Sequence, residues 1–150
     1  MQKNTPEHGF PPANLLRRLM AILYDSLALI AILMLAALPP VLIIGGAMPN
    51  ALLRIAFQLY LFGVVFLFFG WFWVHGGQTI GMRAWRLKVV SDDGSALAWG
   101  NAGLRFLWAW FSFLIFCLGY LWAIVDPNGR TWHDHLSRSR VVLLPKQEKA

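Results

Sequence analysis

The sequence predicts an all-α membrane protein. Its helical transmembrane bundle has two full spans, a third segment that spans or re-enters, and a small cytoplasmic cap that could hold a two-stranded β pair. Of the 150 residues, 58% are hydrophobic and only 13% are charged, whereas a soluble domain usually carries about 25% charge. Three apolar runs are each long enough to cross about 30 Å of hydrocarbon. The net charge of +6 comes from basic residues beside those runs, as the positive-inside rule requires.

The chain divides into one transmembrane domain and two tails. Residues 1–13 contain three prolines and are predicted to form a flexible tail, residues 14–145 the transmembrane domain, and residues 146–150 a C-terminal tail. The apolar runs are Leu19–Leu38, Ile55–Val74 and Phe106–Val125. The first run is too long for a usual signal-peptide core and is predicted to be a retained anchor. The prolines and glycines of "PPVLIIGGAMPN" are predicted to end its helix.

Basic residues predict the orientation. They precede the first run and fill the loop at residues 75–105, whereas the loop between the first two runs has only Arg54 at its edge. The N-terminus and the 75–105 loop are therefore predicted to be cytoplasmic. The basic tail after residue 125 also fits the cytoplasm, which a third full crossing would not allow. The runs "RLKVV" (Arg86–Val90) and "RVVLL" (Arg140–Leu144) favour strands that pair on one side, so the third run either crosses fully or is re-entrant.

An aspartate, Asp25, lies inside the first apolar run, where an unpaired charge costs several kcal/mol. On a helix it shares a face with Arg18, Ala21 and Ala28, and alanines let a neighbouring helix approach closely. Asp25 is therefore predicted to face protein in a buried polar cluster with Arg18. The remaining members predicted for this cluster are Arg105, Arg130, His133 and Asp134.

Four motifs in this order resemble the RDD family of small bacterial membrane proteins. They are "RLMAILYD" from Arg18, "GGQTIGMRAWRLKVV" from Gly76, "GLRFL" from Gly103 and "DPNGRTWHDHLSRSRVVL" from Asp126. The resemblance covers about residues 14–145 and implies that Arg18, Asp25 and Asp134 are the arginine and two aspartates that name the family. It further implies a multi-pass protein of the bacterial inner membrane. Transport has been suggested for the family, and sodium–proton exchange for some members.

Two functions remain open from the sequence. In the first, the cluster of Arg18, Asp25 and Asp134 transports a monovalent cation or proton. This function favours a homo-oligomer, because one chain has few helices with which to enclose a pathway. In the second, the protein is a non-enzymatic membrane module that binds another membrane protein or lipid, and the cluster is purely structural. No spacing of a nucleophile and a base is evident, so enzymatic chemistry is not predicted. No cofactor and no nucleic-acid partner are predicted.

Other motifs are interpreted as structural. His133 and His135 could contribute two metal ligands, but without a nearby cysteine or glutamate they make a weak site, and no metal site is predicted. The glycine-rich "HGGQTIG" is interpreted as a turn after the second span, because it lacks the lysine of a phosphate-binding loop. Five tryptophans near segment ends are predicted to lie at the membrane interface: Trp71, Trp73, Trp99, Trp108 and Trp122.

Overall fold

The computed structural model describes residues 10–115 and 118–145. The predictions for residues 1–9 and 146–150, and for Cys117, lie outside the described residues. In chain order the elements are α1 (Leu15–Ile44), α2 (Ala51–His75), α3 (Ile80–Ala84), β1 (Leu87–Ser91), α4 (Trp99–Leu114), α5 (Leu118–Val125), α6 (Trp132–Leu136) and β2 (Ser139–Leu143). This confirms the predicted fold class of apolar helices with a small antiparallel β pair.

Helices α1 and α2 are each long and apolar enough to cross a membrane. Each helix is preceded by an N-cap asparagine, whose side chain accepts a hydrogen bond from a backbone N–H of the first turn. This bond satisfies one of the free N–H groups at the start of the helix. Helix α1 ends at Gly45, whose φ of 80° is the left-handed conformation that glycine adopts without strain.

The prediction that prolines and glycines end α1 is wrong for the two prolines and confirmed for the glycines, since the helix ends before Gly45. Pro39 and Pro40 lie inside the helix, which continues to Ile44. A proline has no N–H for the carbonyl four residues earlier, and for Pro40 that carbonyl belongs to Ala36. The Tyr60 hydroxyl of α2 donates to this oxygen at 3.2 Å. A neighbouring helix thus satisfies the freed backbone group, which is how proline is tolerated in spanning helices.

The third apolar run forms two helices rather than one. Helices α4 and α5 meet at an angle of 98°, and α4 begins seven residues before the predicted start at Phe106. Strand β1 precedes this pair and β2 follows it, yet the two strands are hydrogen-bonded neighbours. The bent pair therefore returns to the end of the molecule from which it started, as the re-entrant alternative requires.

The sheet and the two short helices form a unit that we call the cap (α3, β1, α6 and β2). The strands are antiparallel, with Val89 opposite Val141, and each lies within one residue of its predicted position. The structure corrects the prediction for residues 10–13, which were assigned to a flexible tail. Pro12 forms a β-bridge with Val142, and the Ala13 N–H donates to the Val141 carbonyl at 3.1 Å, so these residues lie along the edge of β2.

The two halves of the cap, residues 77–91 and 129–143, have the same local structure. Each half starts with a glycine of positive φ, and a threonine follows two residues later. A five-residue helix begins directly after the threonine. An arginine of positive φ and a five-residue strand complete the half. The equivalent pairs are Gly77 and Gly129, Thr79 and Thr131, Arg86 and Arg138, and Val89 and Val141. Because Val89 lies opposite its own equivalent, a local twofold axis passes between these two residues.

Candidate functional site

The first buried polar site is built around Asp134 on α6, whose side chain is fully buried. One carboxylate oxygen accepts from Arg18 of α1 at 2.5 Å, and the other accepts from Arg105 of α4. The Thr131 N–H donates to the same carboxylate at 3.1 Å. Arg105 also donates to the hydroxyl of Ser139 at 2.8 Å. One carboxylate thus joins α1 and α4 to the cap.

The guanidinium groups decide the charge state of this site. Burial alone would raise the pKa of Asp134, but Arg105 and Arg18 reverse that effect and hold the pKa well below its usual range. Burial is the main effect that lowers the pKa of His133, Asp134 opposes it, and the two arginines add to it, which together bring the pKa to about 3. At neutral pH the site therefore holds two positive charges, one negative charge and an uncharged imidazole, a net charge of one positive unit.

The second buried polar site is built around Asp25 on α1, which is 3% exposed. Its two oxygens accept from the Thr79 hydroxyl at 2.5 Å and the Gly81 N–H at 2.8 Å, both at the start of α3. A Cβ at Gly81 would overlap the backbone carbonyl of Ala21, so only glycine allows α3 to lie this close to α1. Asp25 thus fixes the first half of the cap to the first span.

The structure corrects the prediction of a single cluster. Asp25 does not bond to Arg18, Arg105 or Asp134, since its oxygens are used by α3, and seven residues of helix separate it from Arg18 by about 10 Å. Arg130 is also elsewhere. Its guanidinium pairs with the exposed carboxylate of Asp92 at 2.6 Å, because Arg130 lies in the turn before α6 that faces the end of β1.

His133 lies beside the Asp134 site without bridging it. Its Nε2 atom is hydrogen-bonded to the Thr131 hydroxyl at 2.9 Å and is 4.0 Å from the Asp134 carboxylate. His135 instead faces outward and pairs with Asp126 at 3.2 Å. Over residues 10–115 and 118–145, the histidine, cysteine and acidic side chains form no group of three that could hold a metal ion.

A cavity of about 290 Å³ lies between the two polar sites. Its wall includes Arg18, Arg105 and His133 from around Asp134, and also Asp25 and Thr79. The rest of the wall is mostly apolar and comes from α1, α2 and α4, with Tyr120 of α5 and contributions from the cap. Asp25 and Arg18, which were predicted to form one cluster, therefore line the same cavity although they do not bond to each other.

Sequence reasoning missed the polar partners that come from the cap. Thr79, Thr131 and Ser139 all have less than 2% of their surface exposed, and each bonds to a charged residue or histidine of the two sites. The repeated Gly-x-Thr at residues 77–79 and 129–131 was the available signal. Trp73 was also misplaced by its position near a helix end. It is 8% exposed, and the guanidinium of Arg105 lies 5.1 Å from its ring centroid. Trp73 therefore packs against this arginine, and its ring does not face outward as an interface residue would.

Comparison with known proteins identifies the family. The model of the RDD family matches residues 12–138, which include Arg18, Asp25, Arg105 and Asp134. No curated protein and no solved structure matches this chain. The family match covers most of the chain, with apolar helices and a buried arginine and aspartate site in the matched part. The chain belongs to the RDD family.

Proposed function

We propose that this protein is a non-enzymatic membrane module that binds lipid or another membrane protein, and that its two buried aspartates hold the cap against the spans. One observation carries the proposal. All four carboxylate oxygens of Asp25 and Asp134 accept hydrogen bonds from protein donors. Both carboxylates also connect a membrane-embedded helix to one half of the cap.

This bonding pattern favours a fastening role over cation binding. A hard cation needs several free oxygen ligands, and here each carboxylate oxygen already has an N–H or O–H partner. Asp134 is in addition flanked by two guanidinium groups, which repel a cation. Displacing these donors would leave buried polar groups without partners, at about 1–3 kcal/mol each.

We further propose that the cap lies in the cytoplasm, at the inner face of a bacterial inner membrane. The basic residues of the chain support this orientation. Arg83, Arg86 and Lys88 belong to the first half of the cap, and Arg138 and Arg140 to the second. Basic residues collect on the cytoplasmic side, where anionic lipids add about 1 kcal/mol for each one near the surface.

Transport of a cation or proton is the second candidate. The observation that favours it is the position of Asp25, an acidic residue inside a span that lines a cavity. Two spans and a bent helix pair are few helices with which to enclose a path across the bilayer, so this candidate includes a homo-oligomer.

Flux and stability measurements separate the two candidates. The protein is reconstituted in vesicles that contain a pH-sensitive dye, and sodium or potassium gradients are applied to wild type, Asp25→Asn and Asp93→Asn. Asp93 is the matched control, because it lies in an exposed turn. The proposal expects proton movement equal to that of protein-free vesicles for every variant, together with a lower melting temperature for Asp25→Asn alone. Cation-driven proton movement by wild type that is lost in a folded Asp25→Asn protein would contradict it.

A further inference from the structure

The two arginines of the cavity wall lie at one end, and the wall beyond them is mostly apolar apart from Asp25 and Thr79. On α1 its wall runs from Arg18 to Leu29, a rise of about 16 Å. On α4 it runs from Arg105 to Phe113, about 12 Å in the same sense. Arg18 and Arg105 both bond to Asp134, so the two ends that carry arginine lie together. The cavity thus has the polarity of a molecule with a charged head and a hydrocarbon chain.

The charges at the polar end are unbalanced. Two guanidinium groups share the single carboxylate of Asp134, and His133 is uncharged at neutral pH. Asp25 also lines the cavity, but it lies about 10 Å further along α1 than Arg18, and both of its oxygens are already occupied. The polar end therefore retains one positive charge, and an anion is the ligand that would neutralise it.

The arginines also have donors that the described residues do not satisfy. The Nε and Nη2 atoms of Arg18 and the Nε atom of Arg105 are buried without a hydrogen-bond partner, although these side chains are only 6% and 5% exposed. Nε and Nη2 form the edge of a guanidinium that binds an oxyanion through two parallel hydrogen bonds. Buried donors of this kind are normally satisfied, and Arg18, a residue of the cavity wall, has both donors of one such edge without a partner.

We propose that the cavity binds an anionic amphiphile. Its oxyanion, a carboxylate or a phosphate, accepts from Arg18 and Arg105, and its hydrocarbon chain lies along the apolar wall toward Leu29 and Phe113. The inference rests on the proposed function and names the class of lipid ligand for it. A small free anion would gain the same hydrogen bonds, but only a chain gains the burial of apolar surface that the remaining wall offers.

Binding is tested with the full chain in nanodiscs of zwitterionic phosphatidylcholine. The probes are dodecanoate and dodecyl phosphate, with inorganic phosphate, acetate and dodecyltrimethylammonium as comparisons. Brominated dodecanoate provides a direct readout, because Trp73 and Trp110 line the cavity and bromine quenches tryptophan at short range. We expect saturable quenching by the anionic amphiphile, displaced by dodecanoate or dodecyl phosphate. Equal displacement by inorganic phosphate or acetate would show a simple anion site, and displacement by the cationic amphiphile would show no head selectivity; either result overturns the proposal.

Two variants test binding without replacing any residue of the Asp134 site, and a third changes Arg18 itself. Ala109→Leu places a larger side chain in the cavity wall without replacing a charged residue, and we expect it to weaken binding about tenfold. Ala31→Leu makes the same change on the exposed surface of α1 and should bind like wild type. Arg18→Lys keeps the charge beside Asp134 but removes the oxyanion-binding edge, and should also weaken binding about tenfold.

The results distinguish failure of the ligand class from failure of the proposed function. If Ala109→Leu binds as tightly as wild type, or if wild type shows no saturable binding, the ligand proposal is wrong. The fastening role of the aspartates is judged separately, by the flux and melting measurements on Asp25→Asn. Cation-driven flux together with selective binding of dodecanoate would reject the proposed function and retain the binding site.

Discussion

Replacing Asp134 with asparagine tests whether its carboxylate holds the cap in place. The substitution keeps the size of the side chain and an oxygen that can accept from the Thr131 N–H, but it removes the negative charge shared by Arg18 and Arg105. Two buried guanidinium groups then lack a counter-ion. Breaking a buried ion pair in this way costs about 3–5 kcal/mol, a large fraction of the 5–15 kcal/mol that stabilises an ordinary domain.

The matched control is Asp92→Asn. Asp92 pairs with Arg130 at 2.6 Å, close to the 2.5 Å between Asp134 and Arg18, but its side chain is 45% exposed. An exposed ion pair contributes about 0–1 kcal/mol. Unfolding of each variant is followed by circular dichroism in mild detergent, with increasing denaturing detergent. If Asp134→Asn loses no more stability than Asp92→Asn, the buried carboxylate does not fasten the cap.

Three further predictions concern individual groups. The pKa of His133 lies below its unfolded value, so the stability it contributes is present above about pH 6.5 and is lost as the pH falls toward 3. Wild type should lose about 2 kcal/mol between pH 7 and 5, and His133→Gln should lose clearly less over the same range; equal losses would contradict the assignment. Gly81→Ala should cost about 1–3 kcal/mol by overlap with α1, whereas Gly100→Ala, with open space around its Cβ, should not lower the melting temperature. Tyr60→Phe should cost about 1 kcal/mol in the same detergent titration, by removing the donor to the Ala36 carbonyl; no change would mean that this hydrogen bond does not support the helix.

The sequence predicted the features that depend on residues close together in the chain. Length and hydropathy alone define α1 and α2, because each span satisfies its own backbone hydrogen bonds. The short runs of β-branched residues placed β1 and β2 within one residue, and the basic tail indicated that the chain returns to its starting side. The importance of Asp25 followed from its charge inside an apolar run and that of Arg18 from the shared helix face, and the family resemblance then singled out Asp134 among the candidate partners.

The remaining features depend on contacts between distant residues. Helix α1 continues through Pro40 because Tyr60 of another helix supplies a donor, which no reading of the proline motif could show. The partner of Asp25 is Thr79, 54 residues away, and a helix pattern gives only the face of Asp25 and not what packs there. Arg130 was assigned to the cluster by charge alone, but the turn before α6 directs it to Asp92.

The repeat in the cap explains why two aspartates are needed at different places in the chain. In each half a short helix follows a Gly-x-Thr turn, and its first N–H groups need acceptors. In the second half the helix supplies its own carboxylate, Asp134. The equivalent position in the first half is Met82, and there Asp25 of α1 accepts from a different group, the Gly81 N–H. Both arrangements connect the cap to α1, one directly through Asp25 and one through Arg18, so a shift of α1 would be transmitted to both halves of the cap.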